Sequence, residues 1–146
     1  MKRIFALLIV FLVLSCDSDR PIRNPYLQEI GFRFDINLNL PTNSKLTNPA
    51  NPVYISTLGV GIRGVFVINL GFDQFRVFEA SCPNHPPNSC STMQIDGQKA
   101  ICPCEDYEYS LVTGQQFSPP DDGNRYYNML EYNARFNGSD VVIISN

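Results

Sequence analysis

The apolar positions of this chain form one unbroken run near the start and an alternating pattern further on. Residues 4–14 are all apolar, a stretch of eleven residues. Over residues 32–40 every second side chain is apolar, and the apolar set is Phe32, Phe34, Ile36, Leu38 and Leu40. A period of two predicts a β-strand with one buried face.

Shorter apolar runs, bounded by glycine or polar turn residues, follow this strand. They predict further strands at residues 53–58, 65–70, 74–80, 93–95, 99–101, 132–136 and 141–144. Turn sequences at residues 71–73, 96–97 and 137–139 predict hairpins between neighbouring strands. Residues 41–52, rich in Asn and Pro, predict a loop, and residues 126–132 fit either a helical turn or a strand.

The composition agrees with one all-β domain. The 146 residues are 44% hydrophobic and 17% charged, which excludes a disordered chain. Eleven prolines, seven tyrosines and ten phenylalanines favour short strands and tight turns over long helices. Eleven basic against fourteen acidic residues give a formal charge of −3, so the chain lacks the basic character of a nucleic-acid-binding protein.

The first sixteen residues resemble the signal sequence of a bacterial lipoprotein. A basic start, Met1-Lys2-Arg3, precedes the apolar run, and Leu14-Ser15-Cys16 closes it. Eleven apolar residues are too few to cross a hydrocarbon layer of roughly 30 Å as a stable helix, and they fit a signal-peptide core. The resemblance implies that residues 1–15 are removed and that Cys16 carries the lipid. The alternative, a plain cleaved leader, would leave Cys16 as an odd thiol in an exported protein.

Without the leader, the chain divides into a tether and a domain. Residues 16–26, polar with two prolines, predict a spacer between the lipid and a domain at residues 27–146. Nine basic against fourteen acidic residues then give a charge of −5, because Lys2 and Arg3 leave with the leader. We expect a protein of the bacterial cell envelope, lipid-anchored to a membrane: in the outer membrane, at its periplasmic face or at the cell surface.

Four cysteines lie in the predicted domain, on either side of the hairpin turn at residues 96–97. Two segments open with Cys-Pro, which fixes the backbone of a turn after the thiol. They are Cys82-Pro83-Asn84-His85, followed by Cys90, and Cys102-Pro103-Cys104-Glu105. Two such loops could bind a metal or join through disulfides, and their pattern alone leaves both open.

These segments resemble the two cluster loops of the Rieske iron-sulfur domain family. The likeness also includes residues 101–109, Thr113-Gly114 and Pro119-Pro120, and it covers roughly residues 50–145. It implies an all-β fold, a small antiparallel sheet sandwich with a two-loop cysteine subdomain at about residues 80–120. It further implies a [2Fe-2S] cluster held by Cys-x-His in one loop and Cys-x-x-His in the other.

The sequence departs from the family at both histidine positions. Asn84 lies two residues after Cys82 and Glu105 three residues after Cys102, where the family has histidine. The chain has a single histidine, His85. A cluster held by two cysteines and two histidines of this chain is therefore excluded.

The resemblance implies a disulfide between Cys90 and Cys104, the extra pair that joins the two loops in some family members. Without a cluster, Cys82 and Cys102 would be close enough to form a second disulfide. Export favours oxidised thiols, and each closed loop would add about 3 kcal/mol of stability. The predicted function is a disulfide-stapled binding or structural module that is not an enzyme and holds no cofactor.

Three other interpretations stay open. An electron-transfer protein would hold an atypical [2Fe-2S] cluster through Cys82, Cys102, His85 and Glu105, or through three cysteines with His85. Zinc could bind to Cys82, His85, Cys102 and Cys104, although an oxidising exterior disfavours it. The third interpretation is a redox-active disulfide. Active dithiols usually have two residues between the cysteines, whereas Cys102 and Cys104 are separated by Pro103 alone.

The remaining candidates have functional and structural interpretations. His85 could act as a general base beside Cys82 or lie on a loop surface. Acidic residues 105, 106 and 108 could bind calcium or be solvated. Loops 83–90 and 104–111 would face a partner, either an envelope protein or a glycan. Five tyrosines could form part of that surface or belong to the core, namely Tyr107, Tyr109, Tyr126, Tyr127 and Tyr132.

Overall fold

The structure, a computed structural model, describes residues 23–146. The predicted leader, the lipidated Cys16 and most of the tether lie outside the described residues. Within residues 23–146, no helix is long and apolar enough to cross a membrane. The elements of this part are β1 (Arg33–Asn37), a 3-10 helix (Pro41–Thr47), β2 (Val53–Ile55), β3 (Val65–Gly71), β4 (Gln74–Glu79), β5 (Gln94–Asp96), β6 (Lys99–Ile101), β7 (Glu108–Ser110), β8 (Glu131–Phe136) and β9 (Val141–Ser145).

Six strands form an antiparallel sheet in the order β1-β9-β8-β4-β3-β2. Ile36 on β1 and Ile55 on β2, at opposite ends of this order, belong to one buried core, so the sheet curls around it. Successive residues of a strand point to opposite faces. On β3, Val65 and Val67 point into this first core and Phe66 points into a second core. β3 therefore forms a wall between the two cores.

The second core lies between the large sheet and a smaller one of order β5-β6-β7, inserted in the chain between β4 and β8. Phe78 of the large sheet packs there with Ala100 of β6 and Tyr109 of β7. Cys82 and Cys102 belong to the same buried cluster. The insertion is thus a cysteine-bearing subdomain built on one face of the large sheet.

The all-β class and the antiparallel sheets implied by the sequence are confirmed. Hairpins form at all three predicted turns, between β3 and β4, β5 and β6, and β8 and β9. At the first of them, Phe72 and Asp73 have φ values of 51° and 60°. Two successive positive φ angles are typical of the two-residue turns that match the twist of a hairpin.

The first strand ends earlier than its alternation predicts. The side-chain oxygen of Asn37 accepts a hydrogen bond from the backbone N–H of Asn39 at 2.8 Å, and its backbone carbonyl accepts one from the Asn43 side chain at 2.9 Å. These bonds turn the chain after Asn37. The alternation itself is borne out, since Ile36 is fully buried and Leu38 is only 8% exposed, although Leu40 is 50% exposed.

Three further differences concern short elements. The predicted loop at 41–52 contains the 3-10 helix, which starts at Pro41, where a proline loses no helical hydrogen bond. β2 covers only three of the six residues predicted. β7 was not predicted, because its pairing with β6 depends on the single buried contact of Tyr109 opposite Ala100. Residues 126–130 are irregular, and β8 begins at Glu131.

Candidate functional site at the cysteine loops

Two loops carry the four cysteines of the domain. The first loop, residues 82–90, follows β4, and the second loop, residues 102–107, follows β6. The backbone N–H of Cys82 donates to the Ser91 carbonyl at 2.8 Å, which closes the first loop at its base. The second loop is closed by the N–H of Cys102, which donates to the Tyr107 carbonyl at 2.8 Å. Both loops therefore start from backbone positions fixed by hydrogen bonds.

The structure joins these loops through two disulfides. The inner disulfide links Cys82 and Cys102, whose Cα atoms are 5.7 Å apart. The outer disulfide links Cys90 and Cys104, with Cα atoms 5.5 Å apart. The inner pair is buried, with 1% and 0% of the two residues exposed, whereas both outer cysteines are half-buried. The inner bond thus belongs to the second core and the outer bond lies nearer to solvent.

His85 and Glu105 lie against the inner disulfide, one from each loop. His85 Nε2 is 3.3 Å from Glu105 Oε2 and 3.5 Å from Cys102 Sγ. Glu105 Oε2 lies 3.1 Å from the same sulfur, a van der Waals contact because a disulfide sulfur has no proton to donate. His85 Nδ1 is 2.9 Å from the Pro86 carbonyl oxygen and can donate to it. His85 therefore faces a carboxylate and a disulfide, and no free thiolate for which it could be the base.

Five potential ligand atoms meet at this point. One ring nitrogen of His85, one carboxylate oxygen of Glu105 and the sulfur atoms of Cys82, Cys102 and Cys104 all lie within 4.8 Å of one another. The residues named for the iron and zinc interpretations are thus brought together. In this structure the three sulfur atoms are bonded in disulfides.

Asn84, at a family histidine position, has its side chain engaged elsewhere. Its Nδ2 donates to Tyr109 Oη at 2.8 Å and also approaches Gln116 Oε1 and the Tyr127 carbonyl, each at 3.1 Å. Its Oδ1 accepts from the backbone N–H of Tyr127 at 2.7 Å. Asn84 thus links the first loop by hydrogen bonds to three separate segments, at Tyr109, Gln116 and Tyr127. The sequence did not indicate this role. The only signal for it was the replacement of histidine by an amide.

The last three residues of the segment 104–111, which was predicted to face a partner, belong to the core. Tyr109 and Leu111 are fully buried and Ser110 is 9% exposed, so the surface predicted at residues 104–111 is wrong for residues 109–111. Burial raises the pKa of the Tyr109 hydroxyl, while the hydrogen bond from Asn84 lowers it. Gly114 packs behind this strand with φ at +76°, and a Cβ there would lie 2.6 Å from the Phe78 ring. The Thr113-Gly114 motif is therefore a packing element.

The acidic residues at positions 105, 106 and 108 do not converge. Glu108 accepts a hydrogen bond from Lys99 Nζ at 2.9 Å, while Glu105 faces His85. Asp106 has a φ of 59°, at the turn of the loop. Within residues 23–146 the structure brings these carboxylates to no common oxygen site, so a calcium site is not supported.

A tyrosine-lined cleft opens beside the inner disulfide. Its volume is about 420 Å³, and it is lined by Tyr26, Asn84, Glu105, Tyr107, Asn124, Arg125, Tyr126 and Tyr127. Two edge-to-face pairs order the rings, Tyr26 with Tyr127 at 6.1 Å and Tyr107 with Tyr126 at 5.7 Å between centroids. Tyr132 is buried and does not contribute. A larger cavity of about 660 Å³ lies at the β3–β4 and β8–β9 hairpins and contains none of the cysteine-loop residues.

The end of the predicted tether contributes to this cleft. Asn24 Nδ2 donates to the Pro83 carbonyl at 2.7 Å, and Asn24 Oδ1 accepts from the N–H of Tyr26 at 2.8 Å. These bonds hold Tyr26 beside Tyr127. Residues 24–26 therefore lie on the domain surface next to the first loop.

Comparison with known proteins gives likenesses in structure only. No protein-family model matches the chain, and no curated protein matches its sequence. One similar solved structure is a chain of the complex of reduced oxygenase and oxidised ferredoxin in carbazole 1,9a-dioxygenase, with 20% identity, a TM-score of 0.49, and coverage of 80% of this chain and 94% of that chain. Another, described as the small subunit of an NADH-dependent nitrite reductase from Mycobacterium tuberculosis, has 13% identity, a TM-score of 0.47, and coverage of 81% and 97%. Likenesses of this degree carry no information about a cofactor or an activity of this chain.

Proposed function

We propose that this protein is an exported, membrane-anchored lipoprotein whose Rieske-like domain has lost its cluster and acts as a disulfide-stapled binding module. The observation that carries the proposal is the bond between Cys82 and Cys102. These are the two thiols that the family resemblance assigns to iron. A thiol in a disulfide has no thiolate to offer a metal, so the bond and the cluster exclude each other.

The donor set also fails to fit the cluster that the family resemblance implies. A Rieske cluster needs two imidazoles on one iron, and the chain has one histidine. Asn84, at one histidine position, has its side chain bonded to Tyr109 and Tyr127. Glu105, at the other, faces His85. The standard cluster therefore has neither its sulfur nor its nitrogen ligands.

The binding surface that we assign is the tyrosine-lined cleft with the exposed parts of the two loops. Tyrosine gives a large rigid contact area with a polar end, which suits both proteins and sugars. The inner disulfide and the Asn84 bonds fix the loops beside this cleft, so little ordering is needed on binding. We assign it a partner in the cell envelope, either a protein or a glycan, and no catalytic reaction.

The anchor belongs to the same proposal. Cys16 would carry the lipid and residues 17–23 would span the distance to Asn24, where contact with the first loop begins. Because Asn24 is next to the cleft, the lipid tether would leave the domain on the side that carries the binding surface. This supports a partner within or close to the membrane that holds the lipid.

The test is an intact-mass measurement with thiol alkylation, under denaturing and non-reducing conditions, on protein exported through its own leader. Iron is quantified in the same sample. We expect no alkylated thiol among residues 82, 90, 102 and 104 and no iron. Two alkylated thiols at Cys82 and Cys102, with about two irons per chain, would overturn the proposal.

That second outcome defines the other candidate function, an electron-transfer protein with an atypical [2Fe-2S] cluster. The observation in its favour is the convergence of Cys82, Cys102, His85 and Glu105 within 4.8 Å. A carboxylate is a harder ligand than imidazole and suits such a cluster poorly. The two functions differ in the redox state of the inner pair and in the amount of bound iron.

A further inference from the structure

The two disulfides lie close enough to react with each other. Cys104 is bonded to Cys90, yet its sulfur lies within 4.8 Å of both sulfur atoms of the inner disulfide. Cys90 is not a member of this close group. Cys104 is therefore the outer cysteine that the structure places next to the inner bond.

The outer disulfide is also more accessible to solvent than the inner one. Cys82 and Cys102 are 1% and 0% exposed, whereas Cys90 and Cys104 are half-buried. Thiol–disulfide exchange needs contact between the attacking thiolate and a disulfide sulfur. An external thiol can reach the outer disulfide before it reaches the inner one. The inner disulfide is accessible chiefly through Cys104.

We propose that the four cysteines form a thiol–disulfide exchange relay, in which Cys104 carries a reducing equivalent from the outer to the inner disulfide. An external dithiol reduces the outer bond, leaves as a disulfide and frees the thiols of Cys90 and Cys104. The Cys104 thiolate then attacks Cys82 Sγ. The Cys82–Cys104 bond forms, the Cys82–Cys102 bond breaks, and Cys102 leaves as a thiolate.

The relay step balances without a further reductant. One disulfide replaces another, the proton lost by Cys104 leaves before the attack, and a proton returns to Cys102 afterwards. The sulfur at which the negative charge appears, Cys102 Sγ, has two neighbours, His85 Nε2 at 3.5 Å and Glu105 Oε2 at 3.1 Å. Attack on Cys82 joins the two loops again, whereas attack on Cys102 would close a ring across Pro103 alone. This favours Cys82 as the sulfur attacked.

The test uses the Cys90→Ser variant, which starts with Cys104 as its one free thiol. This inference rests on the two disulfides of the proposed function, so alkylation of the wild-type protein comes first; free thiols there would defeat the proposed function rather than the relay. In Cys90→Ser, acid quenching, alkylation and fragmentation mapping locate the thiol. We expect a share of about one tenth or more at Cys102, with a Cys82–Cys104 bond, since exchange between similar thiols is near balance.

The matched control is Cys104→Ser, which leaves Cys90 as the free thiol. Because Cys90 is not a member of the close group, we expect its thiol to stay at Cys90. A folded Cys90→Ser variant whose thiol stays at Cys104 overturns the relay. A thiol that moves to Cys82 overturns the assigned direction of attack.

A second measurement decides the question if Cys90→Ser does not fold. Wild-type protein is treated with a small dithiol and sampled over time by the same quench and mapping. We expect a transient species with the Cys82–Cys104 bond after the outer disulfide opens. Reduction of both disulfides without that species contradicts the relay.

Discussion

The hydroxyl of Tyr132 donates a 2.7 Å hydrogen bond to the fully buried carboxylate of Glu79. Glu79 ends β4 and Tyr132 lies on β8, so the bond links the two strands that flank the inserted subdomain. The other donors to this carboxylate are the backbone N–H groups of Ile62, Arg63 and Ser81, at 2.7 to 2.9 Å. Glu79 thereby fixes the start of the chain segment that leads to Cys82.

Glu79→Gln should destabilise the domain by about 3 kcal/mol. Each carboxylate oxygen accepts two of the four hydrogen bonds, so in either orientation the NH₂ group of the amide meets at least one backbone N–H that cannot accept, that of Ile62 or those of Arg63 and Ser81. The free energy of unfolding in urea measures the effect. Tyr132→Phe is the matched control and should cost about 1.5 kcal/mol, because three donors remain. Equal stability of Glu79→Gln and wild type would show that the buried carboxylate contributes nothing.

Stability should fall as the pH rises above 10. Burial, and for Tyr132 also the charge of Glu79, raise the pKa values of Tyr109 and Tyr132 above the ordinary 10.0. The unfolded chain then loses these protons first, so deprotonation favours unfolding, and the full stability is present only below pH 10. Urea unfolding across that range, with phenolate absorbance, measures it. Tyr132→Phe should show a shallower fall, and an unchanged slope would contradict the assignment.

Asn84→His, which restores a family ligand, should not restore iron binding. The imidazole cannot reproduce the donation to Tyr109 together with the acceptance from Tyr127, so we expect a loss of about 2 kcal/mol in stability. Cys82 and Cys102 remain joined in a disulfide in this variant and therefore offer no thiolate to iron. Thermal unfolding and iron analysis test both points, with Asn84→Ala as the comparison for stability. Iron bound by Asn84→His under oxidising conditions would contradict this account.

The sequence predicted most of the fold because its strands carry their own pattern. The alternation around Ile36 and the turn residues near Asp73 and Gly97 act locally, and they formed as predicted. β7 was missed because it has no local pattern and depends on Tyr109 lying opposite Ala100. Long-range pairing of this kind is decided by packing and leaves no periodic signal along the chain.

The sequence pointed to the two cysteine loops but not to the contacts that hold them in place. Cysteine spacing and the family likeness identified both loops and the proximity of His85 and Glu105 to the sulfur atoms. The role of Asn84 joins segments up to 43 residues apart, and no pattern along the chain reveals it. The tether contact of Asn24 was missed for the same reason, since its partner is the backbone carbonyl of Pro83.

Removal of the two disulfides should have unequal effects on stability. Replacing Cys90 and Cys104 by serine should cost about 3 kcal/mol, the loss of loop closure over a separation of 14 residues. Replacing Cys82 and Cys102 by alanine should cost more, because the pair is also packed in the second core and leaves a cavity. Urea unfolding of the two double variants gives the comparison. Equal losses would mean that burial of the inner pair adds nothing to its cross-link.

Cys16→Ala should release the protein from the membrane without changing the domain. The lipid is proposed to be attached to the Cys16 sulfur, so that this acylated residue holds the domain at the bilayer. Fractionation of cells that express the full chain should move the protein from the membrane pellet to the soluble fraction. Ser15→Ala keeps the thiol and a small residue before it, and is the matched control that should stay in the pellet. Cys16→Ala protein that remains in the pellet after a high-salt wash would show that another part of the molecule binds the membrane.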